Sequence, residues 1–132
     1  MQYPIPAVRL FVKNDAGKVL LLKRAAASVG GSGWCLPGGK VDFGETIAQA
    51  AKKELFEETN LKCTALRILF YQDSLPTETL SDHYINFYFE ADAEGKLRLN
   101  SESEDFAWIG EKEMTNYAIL FRNDEALRKY FE

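Results

Sequence analysis

The chain has 132 residues, is 46% hydrophobic and 13% aromatic, and carries a formal charge of -4 at pH 7. That length suits one compact domain over residues 1–132 that buries about two thirds of the surface its unfolded form exposes, and no apolar run approaches the ~20 residues of a membrane helix. The negative balance argues against long nucleic acid, whose phosphates need a broad basic face.

Met1-Gln2-Tyr3-Pro4-Ile5-Pro6 shows no basic start leading into an apolar stretch, so no secretory signal is predicted and a cytoplasmic location is expected. Cys35 and Cys63 stand far apart without Cys-x-x-Cys spacing. They are expected as two reduced thiols, with neither a disulfide framework nor a structural zinc.

Ala7 to Lys13 alternates around Val8, Leu10 and Val12, and Asn14-Asp15-Ala16-Gly17 supplies turn residues before the apolar run Val19 to Leu22. This predicts a β-hairpin. Ala25 to Gly33 is small and glycine-rich and is expected to be a mobile surface loop. Trp34-Cys35-Leu36 reads as a short buried strand, after which Pro37-Gly38-Gly39 should interrupt regular structure. Thr46, with Gln49 three residues on, predicts a capped helix from about Thr46 to Thr59, and Asn60 is suited to a left-handed stop. Ala65 to Tyr71 reads as a strand and Gln72 to Asp82, with Pro76, as a loop.

His83 to Ala91 is the clearest strand. It sets Ile85, Phe87 and Phe89 on one face and Tyr84, Asn86, Tyr88 and Glu90 on the other, where water or a ligand is expected. Leu97 to Leu99 and Phe106 to Ile109 read as short strands around the acidic run Ser101 to Asp105, and Asn123 to Phe131 as a terminal helix. The element order is mixed α and β, with no repeat or linker.

On the helix beginning near Thr46, Glu54 and Glu58 lie close in angle to Ile47 and Ala51, with Glu57 at their edge. The acids therefore extend the apolar face, and Phe56 opposite them predicts a helix covered on two sides. Inward-pointing carboxylates repel one another unless a cation or a proton intervenes. Alone, such a run could be an ordinary acidic surface; the glycine turn and Glu45 upstream make it more specific.

Gly39, five residues, Glu45, seven residues, then Lys53-Glu54-Leu55-Phe56-Glu57-Glu58-Thr59-Asn60-Leu61 resembles the Nudix box, G-x5-E-x7-R-E-U-x-E-E-x-G-U with U a bulky aliphatic residue. Two fixed positions differ. Lys53 replaces arginine, keeping the charge but losing the planar fork that can brace a carboxylate, and Asn60 replaces glycine at a helix end that tolerates it. Outside the box, Val19-Leu20-Leu21-Leu22-Lys23-Arg24 and Trp34-Cys35-Leu36-Pro37-Gly38-Gly39 are similar to MutT-type nucleoside triphosphate pyrophosphohydrolases.

The resemblance implies an α/β (α+β) fold, an α/β/α sandwich around a mixed β-sheet. It also implies hydrolysis of a phosphoanhydride in a nucleoside diphosphate linked to a further group X. The expected cofactor is Mg²⁺, with Mn²⁺ as a substitute, in an all-oxygen site. By the same resemblance Glu57 and Glu58 would be the main metal ligands, joined by the Gly38 carbonyl. Glu54 would bind or deprotonate the attacking water, directly or through metal, while Glu45 and Lys53 brace loop and helix. Arg24 would meet phosphate. Glu102, with Glu104 as alternate, would complete the metal site or act as a base.

Tyr84, Tyr71 or Phe121 could stack on a base and Asn116 could bond its edge, although packing or surface roles suit each of them as well. The sole histidine, His83, is expected at the core or rim. Pro76 lies about where similar ADP-ribose hydrolases often carry proline, and MutT-type proteins can have one there too, so by resemblance ADP-ribose stays open as a substrate, with a sugar nucleotide as a further alternative. The absence of zinc cysteines disfavours a dedicated NADH hydrolase, and Lys53 leaves room for a catalytically silent binding module. Monomer and homodimer both remain open.

Overall fold

The computed structural model describes residues 2–26 and 32–132. Much of the expected Ala25 to Gly33 loop lies outside them. The strands are β1 (Ile5–Val12), β2 (Val19–Arg24), β3 (Trp34–Cys35), β4 (Gly38–Lys40), β5 (Lys62–Ser74), β6 (Tyr84–Glu94) and β7 (Ser103–Ile109). Helix α1 is Ile47–Thr59 and α2 is Asn123–Phe131, and a 3-10 helix covers Glu111–Asn116.

One sheet runs β4-β1-β6-β5 and the other β3-β2-β7. The first is mixed, because β1 pairs parallel with β6 but antiparallel with β4, and β5 runs antiparallel to β6. Strand side chains alternate between faces, and here both faces are covered, which explains the unbroken apolar run Val19 to Leu22. Leu20 and Leu22 join Val8, Leu10 and Val12 of β1 in one core under α1, which contributes Ala50, Ala51 and Leu55. Val19 and Leu21 join Phe11 and Tyr88 in a second core, closed by Ala126 and Leu127 of α2. The layers are α1, sheets, α2, the expected sandwich.

Both ends of α1 follow from local sequence. Thr46 Oγ1 accepts from the Gln49 amide at 3.0 Å while the Thr46 amide donates to Gln49 Oε1 at 2.8 Å, closing a capping box. At the other end Asn60 takes φ 64° and its amide donates to the Phe56 carbonyl. The terminal helix also falls on the expected span, and its first residue, Asn123, is buried. Asn123 Oδ1 accepts from the Leu36 amide at 2.9 Å, and its Nδ2 donates to the Tyr88 hydroxyl at 3.3 Å.

Several expectations are corrected. β1 and β2 do not form a hairpin: β4 and β6 occupy both edges of β1, so β2 enters the other sheet, and among the described residues the only backbone bridge at this turn is the isolated one between Lys13, just past β1, and Val19. Gly38 and Gly39 do not interrupt the sheet but pair with Arg9 and Val8. The absence of a side chain permits this, since a Cβ at Gly38 would lie 2.0 Å from the Val8 carbonyl oxygen. The second face of β6 meets no water at Tyr88, which is fully buried and stacked against both Phe11 and Phe70 at ring distances of 5.5 and 5.1 Å.

Leu97 and Leu99 pack on the α1-side core without forming a strand, whereas Ser103 to Asp105 belong to β7. β5 is longer than expected at both ends. Phe56 is 55% exposed, so α1 is covered on one side only.

Candidate active site

The turn between β4 and α1 is closed by its own acids. The Asp42 amide donates to Glu45 Oε1 at 2.7 Å, the Glu45 amide donates to the Asp42 carbonyl at 3.1 Å, and Gly44 takes φ 90° between them. Lys53, one turn before Glu57, reaches across to both. Its Nζ donates to Asp42 Oδ2 at 2.7 Å and to the two Glu45 carboxylate oxygens at 3.1 Å. Hydrogen bonds to Asp42 and then Glu45 hold the Lys53 ammonium above its ordinary pKa. A single ammonium can satisfy both acids without a guanidinium fork. Asp42 is a brace that the family pattern did not pick out.

Two glutamates of α1 lie against β4. Glu58 Oε1 accepts from the Gly38 amide at 2.8 Å. Glu54 places its carboxyl so close to Gly39 that a Cβ there would come within 2.6 Å of the carboxyl carbon. Glu57 is exposed at the helix edge.

The electrostatics are those of crowded acids. Burial raises the Glu54 pKa, the charge of Glu57 raises it further, and Glu102 and Asp42 add to this against the pull of Lys53. Glu58 keeps some solvent contact as a residue, yet protein closely surrounds its carboxyl; burial pushes it up to about 8, with Glu54 and Glu102 adding and the Gly38 amide and Arg9 opposing. Both carboxyls resist taking a negative charge without a counter-cation.

Asn100 brings the Glu102 loop to α1. Its Nδ2 donates to the Glu57 carbonyl at 3.1 Å, its Oδ1 accepts from the Glu102 amide at 3.0 Å, and the Glu102 carbonyl accepts from the Ala25 amide. The exposed Glu102 therefore faces Glu54 and Glu58 closely enough to raise both. Glu104 instead pairs with Lys23 at 3.2 Å. Sequence reasoning passed over Asn100, although an Asn two residues before an acid is a recognisable turn signal.

Arg24 ends β2 with its guanidinium 4.9 Å from the centre of the Phe121 ring and a hydrogen bond to the Cys35 thiol. Cys35 is buried and Cys63 half-buried, both free thiols. Tyr84 opens β6, opposite Ile5, with its hydroxyl bonded to Asp82 at 3.3 Å. Asn116 is exposed at the end of the 3-10 helix. Among the described residues no hydrogen bond or ring contact joins Tyr84 or Asn116 to the glutamates. Tyr71 is exposed on β5, and His83 lies at the rim, its carbonyl accepting from the Ile5 amide.

No three His, Cys, Asp or Glu groups converge into a formed metal cluster among the described residues. The donor chemistry nonetheless fits a hard divalent cation: it is all oxygen, and the raised pKa of Glu54 and Glu58 marks an unmet demand for positive charge.

A mixed sheet between two helices, with a glycine-lined strand feeding a glutamate helix, defines a Nudix-type protein. The family model described as NUDIX domain matches residues 4–131, and the chain belongs to that family; it is a Nudix hydrolase. Similar relatives include the nucleoside triphosphatase NudI of Escherichia coli O139:H28, 26% identical with 89% of each chain covered. The MutT protein of Methanosarcina mazei Go1 has the same fold, with a TM-score of 0.84 at 23% identity over 98% of this chain and 94% of that one. So does the NUDIX domain of Shewanella oneidensis NrtR, solved in complex with ADP ribose, with a TM-score of 0.80 at 18% identity over 98% and 88%. Among the described residues no helix is long and apolar enough to cross a membrane.

Proposed function

We propose that this Nudix hydrolase cleaves a phosphoanhydride in a nucleoside diphosphate linked to X, with a nucleoside triphosphate as the leading substrate and Mg²⁺, or Mn²⁺ in its place, as cofactor. The observation that carries the reading is the seating of Glu54 and Glu58 against the glycines of β4, where burial and neighbouring acids raise the pKa of both. A similar nucleoside triphosphatase, NudI, favours a triphosphate.

Glu57 and Glu58, with the Gly38 carbonyl and Glu102, would hold the metal. Bound there, the ion would offset phosphate charge and increase the acidity of a water molecule. Glu54 would orient that water and accept its proton, a role supported by the burial that raises the carboxyl's affinity for one. Lys53 keeps Asp42 and Glu45 folded against the start of α1, which fixes the angle at which the helix presents its acids. Arg24 supplies a cation for phosphate. Little covalent chemistry is asked of the protein, because phosphoryl transfer depends on positioning and charge neutralisation.

A second reading, ADP-ribose hydrolysis, is favoured by the fold shared with the NrtR domain solved with ADP ribose and by Pro76. Incubation with nucleoside triphosphates, oxidised guanine nucleotides, ADP-ribose and sugar nucleotides in magnesium, with products separated by chromatography, tests both. Release of pyrophosphate from a triphosphate is the expected result. Preferred cleavage of ADP-ribose selects the second reading, and no turnover of any of them would indicate a silent binding module.

A further inference from the structure

We propose that Arg9 and Arg24, brought together over the ring of Phe121, form an anion subsite for the phosphate oxygens of the substrate, with Arg9 as its second cation. The ligand's identity rests on the nucleotide-hydrolase reading above; the subsite itself rests on the following geometry.

Arg9 lies on β1 and Arg24 ends β2, so the two residues belong to different sheets. Their guanidinium carbons stand 5.3 and 4.9 Å from the centre of one aromatic ring. The face of an aromatic ring attracts a cation but does not neutralise it, so two like charges share this ring at a mutual cost. Arg9 has little else to offset its charge. Among the described residues its side chain makes one hydrogen bond, Nη1 to the Leu36 carbonyl at 2.8 Å, and no carboxylate lies within ion-pairing distance. A guanidinium has five N–H donors, and on this half-buried residue most remain without a protein acceptor. A phosphate, with several oxygens in reach of a planar fork, matches what is missing.

The placement suits the site. Arg9 pairs across the backbone with Gly38, whose amide holds Glu58, and it lies near enough to favour the charged form of that acid. The subsite therefore borders the turn on which the acids rest. Phe121 is itself held in an unfavourable conformation: it and Arg122 take φ 59° and 58°, left-handed values that a bulky residue avoids. Arg122 keeps them there, donating through Nη1 to the Asp73 carbonyl and through Nε to Glu125, both at 2.6 Å. Strain retained beside a functional turn is consistent with a ring that is positioned for use.

The test is titration of the metal-free protein with inorganic pyrophosphate by calorimetry at low salt. Wild type is expected to bind, and Arg9→Met to bind about tenfold or more weakly, as befits loss of a charge-assisted pair. Equal binding by the variant, or no binding by wild type, would overturn the subsite. If Arg9→Met does not fold, arginine side-chain nitrogen spectra of the wild-type protein decide: pyrophosphate should shift the Nε resonances of both Arg9 and Arg24, and an unmoved Arg9 signal refutes the proposal. In turnover assays Arg9→Met should raise KM for a triphosphate with kcat nearly kept, whereas a merely structural role would lower kcat and melting temperature together. Arg9-dependent pyrophosphate binding in a protein that turns over no nucleotide would support the subsite while removing the hydrolase reading.

Discussion

The Glu54 carboxyl occupies the space that a side chain at residue 39 would fill, its carbon 2.6 Å from where a Cβ of Gly39 would be. The neighbouring glycine is restricted by a different partner, since a Cβ at Gly38 would meet the Val8 carbonyl oxygen at 2.0 Å. One obstacle is the end of a flexible side chain and the other is backbone, so the two substitutions should separate function from stability. Gly39→Ala is expected to fold with a small change in melting temperature and to lose about 10²-fold in rate through misplacement of Glu54. Gly38→Ala must push β4 from β1 and should cost roughly 1–3 kcal/mol of stability. Thermal melts and steady-state rates on both proteins check the contrast, and a catalytically intact Gly39→Ala would remove Glu54 from the proposed chemistry.

Glu57→Gln should lower turnover by orders of magnitude and leave the fold intact. Glu57 is exposed, and among the described residues its side chain makes no hydrogen bond or ion pair. Circular dichroism with a magnesium-dependent rate assay distinguishes this from unfolding, and turnover close to wild type would count against the assignment.

Lys53 joins Asp42 to Glu45, and a guanidinium could take over both contacts. Lys53→Arg should therefore stay within a few-fold of wild type. Lys53→Met frees the turn and is expected to reduce kcat about tenfold with a minor shift in melting temperature, because these pairs border solvent. A rate unchanged by Lys53→Met would show that the brace is dispensable.

Two carboxyls should give opposite pH dependences of stability. Burial raises the Glu90 pKa, but hydrogen bonds from Tyr130 at 2.7 Å, Arg67 at 2.9 Å and Lys13 at 3.4 Å outweigh it and hold the group below its ordinary value. Its contribution is present above pH 4.5 and lost as the pH falls through the lowered value. Glu90→Gln should thus lower the melting temperature at pH 7 and matter much less near pH 3.

Glu58 works the other way in metal-free protein. With its pKa raised from 4.5 to about 8, it favours the fold most below pH 4.5 and loses that contribution as the pH rises through 8. Glu58→Gln should flatten this decline in EDTA, and magnesium should restore more stability to wild type than to the variant. Parallel melting curves for the two proteins across that range would refute the assignment.

What could be read from the sequence was what neighbours in the chain determine. Thr46 with Gln49 and the left-handed Asn60 delimit α1 through bonds spanning three or four residues, and the glutamate spacing alone orients the acids. What pairs with β1 is decided by β4 and β6, which lie tens of residues away, so the expected hairpin was a local inference overruled by distant partners. The same applies to Tyr88, whose polar-looking strand face is covered by Phe11 and Phe70 from elsewhere in the chain. Arg9 looked like one polar residue in an alternating strand; only the fold brings it to Phe121.

Asn123 bonds to the Leu36 amide just ahead of the Pro37-Gly38-Gly39 segment. Residues 87 positions apart thereby share one lock, and during synthesis the glycine-lined strand cannot acquire that support until the segment carrying Asn123 has left the ribosome. Loss of that asparagine would be felt first at the glycine strand and the acid seated on it, however remote the position looks in the linear map.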